Sequence, residues 1–197
     1  MIKMNSIIPL IKELERIYDL LAKDFSLKYE RPIITVQTKG RSKSMLGWFS
    51  KERWQYNKKE IGEINLCAEE LKKDPIETLI HEMTHYVNSQ EKIEDCNNAG
   101  YHNKTFKTKA ESYGLNVEKN GRHGWGLTSL SDNLKEKLKL YNIDYKLFEL
   151  YRKESVHFTL PTKMKKWSCG CTTTRCAVDL KAKCLKCNNE FFLKEQE

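Results

Sequence analysis

Two histidines four residues apart, with a glutamate after the first, stand in His81-Glu82-Met83-Thr84-His85. On a helix such residues share one face with Cβ atoms about 5–6 Å apart, close enough for both imidazoles to bind one Zn²⁺. The carboxylate between them then faces a water whose pKa the metal lowers toward about 7, and it can take the proton as that water attacks a carbonyl. This is the chemistry of metal-assisted peptide hydrolysis. The composition gives an expected chance count of about 0.01 for the pattern, which favours a metal site over two solvent-facing histidines.

A catalytic zinc takes a third protein ligand and leaves one position open. The extended pattern that would supply it from the same segment is absent, because Asn88 and Glu91 occupy the positions it requires. The candidates are His102, Glu94, Asp95 and His123. His102 is preferred, since it precedes a predicted helix in Gly100-Tyr101-His102-Asn103-Lys104-Thr105-Phe106, where a compact loop can bring it back to the metal. His123, in Arg122-His123-Gly124-Trp125, is a weaker candidate for substrate contact or transition-state stabilisation, and His157 is read as structural.

A second cluster lies near the C-terminal end. Cys169, Cys171, Cys176, Cys184 and Cys187 form two knuckles with the spacing of a zinc ribbon, in which four thiolates close a tetrahedral structural site. Bound metal there supplies folding free energy that so short a segment cannot gain from apolar burial. Cys184 and Cys187 are ligands. The first knuckle uses Cys169 with Cys171, the preferred pair, or either of them with Cys176. Cys67 and Cys96 fall outside the cluster, and Cys67 reads as core.

These groups must be held by a folded frame. Ile7, Leu10, Ile11, Leu14, Ile17, Tyr18, Leu21 and Phe25 recur at three- and four-residue steps and predict an amphipathic helix over 5–29. Short strands are expected at 33–36, around Trp48-Phe49 and Trp54-Tyr56, and over 61–67. Asp74-Pro75-Ile76-Glu77 has the form of a helix start, with a capping Asp, Pro at the first position and a carboxylate three residues on. The helix it opens, 75–89, carries the histidine pair together with Ile76, Leu79, Ile80, Met83 and Val87 for the core. A loop over 92–100, a helix over 103–113 stopped by Gly114, a loop over 121–126 and a Lys-rich helix capped by Ser131 follow. Leu160-Pro161-Thr162 marks a boundary, after which cysteines replace apolar periodicity as the pattern.

With 197 residues, 39% apolar and 31% charged, the chain can build a globular core and is poor material for a disordered tail. No run approaches the roughly 18 apolar residues of a bilayer span, and the first residues lack a signal-peptide core, so an intracellular protein without a membrane partner is expected. Seven cysteines, five of them clustered, suit metal ligation in a reducing compartment better than a disulfide framework. The net charge of +8 would attract nucleic acid, an anionic membrane surface or another acidic polymer without choosing among them. Residues 160–197 hold eight Lys or Arg against four Asp or Glu, with Trp167 and Arg175 beside the first knuckle, a composition suited to phosphate contact and base stacking.

The chain resembles the SprT-like zinc metalloproteases. The shared features are an N-terminal helix, a Gly-aromatic segment at Gly47-Trp48-Phe49, the helix with His81-Glu82-Met83-Thr84-His85, and a His-Gly-x-x-Phe element read here as His102-Asn103-Lys104-Thr105-Phe106, with Asn103 in place of the glycine. The resemblance implies an α+β fold: a small zincin-like catalytic domain over 1–155, built from an N-terminal helix, a short antiparallel-type sheet and the metal-binding helix, then a zinc ribbon over 160–197. It implies zinc on His81, His85 and His102 with Glu82 as general base, and a first knuckle of the aromatic-x-Cys-x-Cys form, hence a structural zinc on Cys169, Cys171, Cys184 and Cys187. It further implies an endopeptidase acting on DNA-associated or DNA-crosslinked proteins, with single-stranded or duplex DNA as partner. The location implied is the cytoplasm of a bacterial cell, or of the host if the chain is phage-encoded. The competing expectation is a nucleic-acid-binding zinc-ribbon adaptor whose histidine site is structural or inactive.

Overall fold

The computed structural model describes residues 6–39, 45–154 and 164–194. The chain is a mixed α+β protein that divides into two compact units, Met1–Glu154 and Ser155–Glu197. His157 and the Leu160-Pro161-Thr162 boundary lie outside the described residues.

In the first unit, α1 spans Ile8–Asp24 and buries Leu10, Leu14, Ile17, Tyr18 and Leu21, the stripe expected from their spacing. It is shorter than the 5–29 predicted. Ile7 is exposed, and Ser26 turns to φ 53°, a left-handed conformation that ends the helix before the remaining apolar residues can join the stripe. Strands β1 (Ile33–Gln37), β2 (Gly47–Tyr56) and β3 (Lys59–Cys67) form a sheet of order β1-β3-β2. The two aromatic pairs belong to a single strand with an irregularity between Ser50 and Trp54. The β2–β3 hairpin closes through Asn57 and Lys58 at φ 47° and 66°, the two-residue geometry that matches strand twist.

The sheet corrects the antiparallel expectation in one respect. β2 pairs with β3 antiparallel, but β1 pairs with β3 parallel, Ile34 opposite Ile64 and Val36 opposite Leu66. The hairpin occupies one edge of β3, which leaves β1 the other edge, running in the same direction.

Helix α2 (Pro75–Gln90) begins as its sequence dictates: the Asp74 carboxylate accepts from the Glu77 amide at 3.0 Å, and Pro75 takes the first turn. Ile76, Leu79, Ile80, Met83 and Val87 are all buried, joining Ile34, Ile64 and Leu66 of the sheet and the stripe of α1 in one core. Close approach of β2 to α2 depends on Gly47. A Cβ there would lie 2.7 Å from the Asn65 carbonyl oxygen and 2.8 Å from Thr78 Cγ2, so no larger residue fits without moving the strand.

Helix α3 (Lys104–Ser112) is capped by Asn103, whose side-chain oxygen accepts from the Thr105 and Phe106 amides at 2.8 and 3.2 Å. Asn103 sits at φ −94°, where no glycine is called for, so asparagine at this position brings a cap and costs no backbone strain. Strands β4 (Leu115–Asn120) and β5 (Gly124–Leu130) pair antiparallel, so only the first part of the predicted 121–126 loop is a turn. Helix α4 (Asp132–Lys139) is capped by Ser131, and its lysines 135, 137 and 139 each pair with a carboxylate, those of Asp132, Asp24 and Glu136. A 3-10 turn at Tyr145–Glu149 closes the unit.

The second unit has β6 (Lys165–Ser168), β7 (Thr173–Cys176) and β8 (Phe192–Leu193) in the order β7-β6-β8. No helix among the described residues is long and apolar enough to cross a membrane.

Candidate metal centres

The α2 helix presents His81 and His85 one turn apart, and the Asn103 cap sets His102 at the entry of α3, opposite them. The three Nε2 atoms converge: His102 Nε2 lies 3.2 Å from His81 Nε2 and 3.0 Å from His85 Nε2. A tetrahedral zinc with Zn–N bonds of about 2.05 Å holds its nitrogens about 3.3 Å apart, so the donor set has the right size.

Each imidazole spends its other nitrogen on a separate acceptor. His85 Nδ1 lies 2.8 Å from Asp95 Oδ2, His102 Nδ1 lies 3.1 Å from the His123 carbonyl oxygen, and His81 Nδ1 lies 3.1 Å from Thr128 Oγ1. The Thr128 hydroxyl donates to the Glu77 carboxylate, which leaves its oxygen to accept from His81. A carboxylate and a carbonyl can only accept, so His85 and His102 carry their protons on Nδ1. With His81 in the same tautomer, three lone pairs face one point, an arrangement suited to holding a cation there. The protonation preferences agree. Burial and the neighbouring imidazoles hold His81 well below the ordinary histidine value, and burial and His85 hold His102 below it. Burial also opposes charge on His85, yet the Asp95 hydrogen bond together with the charges of Glu82 and Asp95 outweighs it and keeps that group above its ordinary value. The site favours positive charge beside Asp95, which a divalent metal could supply.

Phe106, wholly buried, packs against all three rings with centroid separations of 4.6, 4.7 and 4.5 Å to His81, His85 and His102. It provides a dry apolar wall that strengthens electrostatic interactions at the site.

Glu82 lies beside the histidines, 6% exposed, and does not join their donor set. Burial pushes its carboxyl up to about 7, while the neighbouring His85 and the Phe49 amide, which donates to it, pull the other way. Burial likewise pushes Glu77 up to about 7, opposed by the Thr128 hydrogen bond. The histidines and Glu82 line a cleft of about 840 Å³ whose other walls include Gly47, Trp48 and Phe49 of β2, the segment from Ile93 to Cys96, Arg122 and His123, and Gly126 to Thr128. Strand β2 is an edge strand, so its outer backbone groups are available beside the cleft.

The remaining candidates for third ligand have other places. Asp95 holds His85 and is itself held by Asn88 Nδ2 at 2.8 Å. Glu94 contributes its carbonyl oxygen to Asn103 Nδ2, and His123 acts through its backbone carbonyl on His102. Sequence reasoning gave Thr128, Gly126 and Asn88 no role. The alternation Gly124-x-Gly126-x-Thr128 was the signal available for the first two, obscured because the glycines read as a loop.

In the second unit the sulfurs of Cys169, Cys171, Cys184 and Cys187 all lie within 4.8 Å of one another, so these four can hold a metal ion. Cys171 Sγ is 3.5 Å from Cys169 Sγ and 3.6 Å from Cys184 Sγ, near the roughly 3.8 Å that Zn–S bonds of about 2.3 Å impose. Two tight turns present them. The Cys169 amide donates to the Thr172 carbonyl at 3.2 Å, and the Asn188 amide donates to the Cys184 carbonyl at 2.8 Å. The Cys187 and Lys186 amides hold the Cys184 thiol below its ordinary value, while neighbouring thiols push Cys171 up. Cys176 stands on β7 opposite Lys165 and takes no part in the cluster. Cys67 is fully buried in the first unit, and Cys96 is exposed.

Compared with profiles of known protein families, with curated proteins and with solved structures, the chain finds no match.

Proposed function

We propose that the chain is a zinc-dependent endopeptidase of SprT-like type, with a zincin-like catalytic fold in the first unit and a zinc ribbon in the second. The observation that carries this reading is the set of three converging imidazoles with no fourth protein donor among the described residues, beside a buried carboxylate that does not ligate. A structural zinc would be closed by four protein ligands; three with an adjoining cleft fit a catalytic one.

His81, His85 and His102 would hold the zinc of the first unit, and Cys169, Cys171, Cys184 and Cys187 that of the second. Zinc, when bound, supplies Lewis acidity toward a carbonyl oxygen and toward water. Glu82 accepts the proton of the attacking water on its carboxylate and returns it to the leaving amine. A carboxyl near 7 is matched to both halves of that exchange at neutral pH. The Phe49 amide orients the carboxylate, and the remaining edge groups of β2 beside the cleft offer backbone pairing to an extended peptide. His123, in the cleft wall, is available for substrate contact.

The proposed substrates are proteins held on or near DNA, including crosslinked ones. The resemblance to the SprT-like family supports this, as does the basic ribbon with Trp167 and Arg175. The clustered thiols suit a reducing cytoplasm.

Native mass spectrometry tests the metal assignment. Wild type is expected to carry two zinc ions per chain and His102→Ala one. A single zinc in the wild type, retained in His102→Ala, would favour the nucleic-acid-binding adaptor instead.

A further inference from the structure

Behind the three imidazoles runs a strand that ligates nothing. Gly126 and Thr128, two residues apart on β5, both meet the histidines, as alternate residues of a strand share a face. A Cβ at Gly126 would stand 2.5 Å from His102 Nδ1 and 2.8 Å from its Cε1, so the bare backbone leaves the ring its place. Thr128 then brings a hydroxyl to His81 Nδ1 at 3.1 Å.

The three acceptors that orient the histidines differ in kind. Asp95 and the His123 carbonyl can accept only, and they fix the protons of His85 and His102 without help. A hydroxyl both donates and accepts, so Thr128 alone does not decide which nitrogen of His81 carries the proton. The decision falls to Glu77, on the first turn of α2, which accepts the Thr128 proton and so turns the hydroxyl oxygen toward His81 as an acceptor.

We infer that Thr128 and Glu77 form a positioning relay, which holds His81 in the Nδ1–H tautomer, aims its Nε2 lone pair at the point His85 and His102 share, and thereby sets the metal affinity of the three-histidine site. The inference rests on the reading of that site as a metal centre. Both residues line the cleft and neither belongs to the donor set; their effect on the metal runs through His81. The reverse polarity, with Thr128 donating to His81 Nδ1, would place the imidazole proton on Nε2 and block ligation.

The test uses the full chain with its ribbon zinc in place and two readouts. In the first, zinc affinity of the histidine site is measured by competition with a chromophoric chelator. Thr128→Val keeps the branched shape and removes the acceptor; it should weaken zinc binding about 10- to 100-fold, as loss of an orienting partner does in metal sites. Thr128→Ser restores the hydroxyl and should stay within about threefold of wild type. Glu77→Gln, whose amide can donate to Thr128 and reverse the relay, should weaken binding in the same direction. In the second readout, long-range ¹H–¹⁵N spectra of protein stripped at the histidine site report the His81 tautomer at a pH where the imidazoles are neutral. Nδ1–H is expected in wild type and Thr128→Ser, and a shift toward Nε2–H in Thr128→Val and Glu77→Gln. Wild-type zinc affinity in folded Thr128→Val, or Nε2–H on His81 of the wild type, would overturn the relay. Should the wild type take up zinc only in its ribbon, the metal-centre reading fails, while the tautomer spectra still decide the relay by the same criterion.

Discussion

Glu82→Gln is expected to lower peptide hydrolysis by about 10³-fold or more while both zinc ions stay bound, because the amide keeps the shape of the side chain but cannot accept a proton. The histidine donor set does not include Glu82, so metal content should be unchanged. The same substitution carries a second signature in protein stripped of metal at the histidine site. Burial holds the Glu82 carboxyl near 7, so between its ordinary value and about 7 the folded chain binds a proton that the unfolded chain has released. Stability therefore falls as pH rises through that window, and the full cost, about 3 kcal/mol, is present only above it. Glu82→Gln removes this cost. Denaturant unfolding should show the metal-free variant more stable than wild type at pH 8 and about equal to it near pH 4. An equal gain at both pH values would contradict the buried-carboxyl account, and retained hydrolysis would remove Glu82 as the base.

Cys184→Ser should cost the second unit its fold. That unit has strands of four, four and two residues, and Val178, Leu185, Phe192 and Leu193 are all exposed, so no apolar core stands behind it among the described residues. Its buried positions among the described residues are Ser168, Cys169 and Cys184, two of them members of the sulfur cluster. Structural zinc in peptides of this size contributes about 10–16 kcal/mol at pH 7, far more than a unit without a core can replace. The ¹H–¹⁵N spectrum should lose the dispersed signals of residues 164–194 in Cys184→Ser, and in wild type after strong chelation. Cys176→Ser, which lies outside the cluster, should keep both the dispersion and the metal. Persistence of dispersed ribbon signals without metal would contradict the assignment.

The parts of the site that lie within one helix were legible in the sequence. Asp74 and Pro75 announced where α2 starts, the apolar residues told which face enters the core, and the spacing of His81 and His85 put both on the remaining face. His102 was legible only as a candidate, because its distance along the chain did not itself bring it to the other two imidazoles; the Asn103 cap and the contacts of Phe106 do that. Less local features were missed. β1 pairs parallel to β3 through contacts that no short-range pattern encodes. Gly124 and Gly126 read as loop residues, yet they belong to a strand that must lie against His102 without side chains. The acceptors that orient the histidines come from separate elements: Asp95 from a loop, His123 through its backbone, Thr128 from β5. Only the folded chain brings them together.

Peptide hydrolysis at the three-histidine site is the activity proposed for this chain. Its most direct test is to incubate zinc-loaded wild type and Glu82→Gln with a basic DNA-binding protein, with and without single-stranded and duplex DNA, and to follow cleavage on gels. Cleavage by wild type alone, increased by DNA, is the predicted result. Two zinc ions bound, DNA bound, and the substrate left intact by wild type under every condition would contradict it.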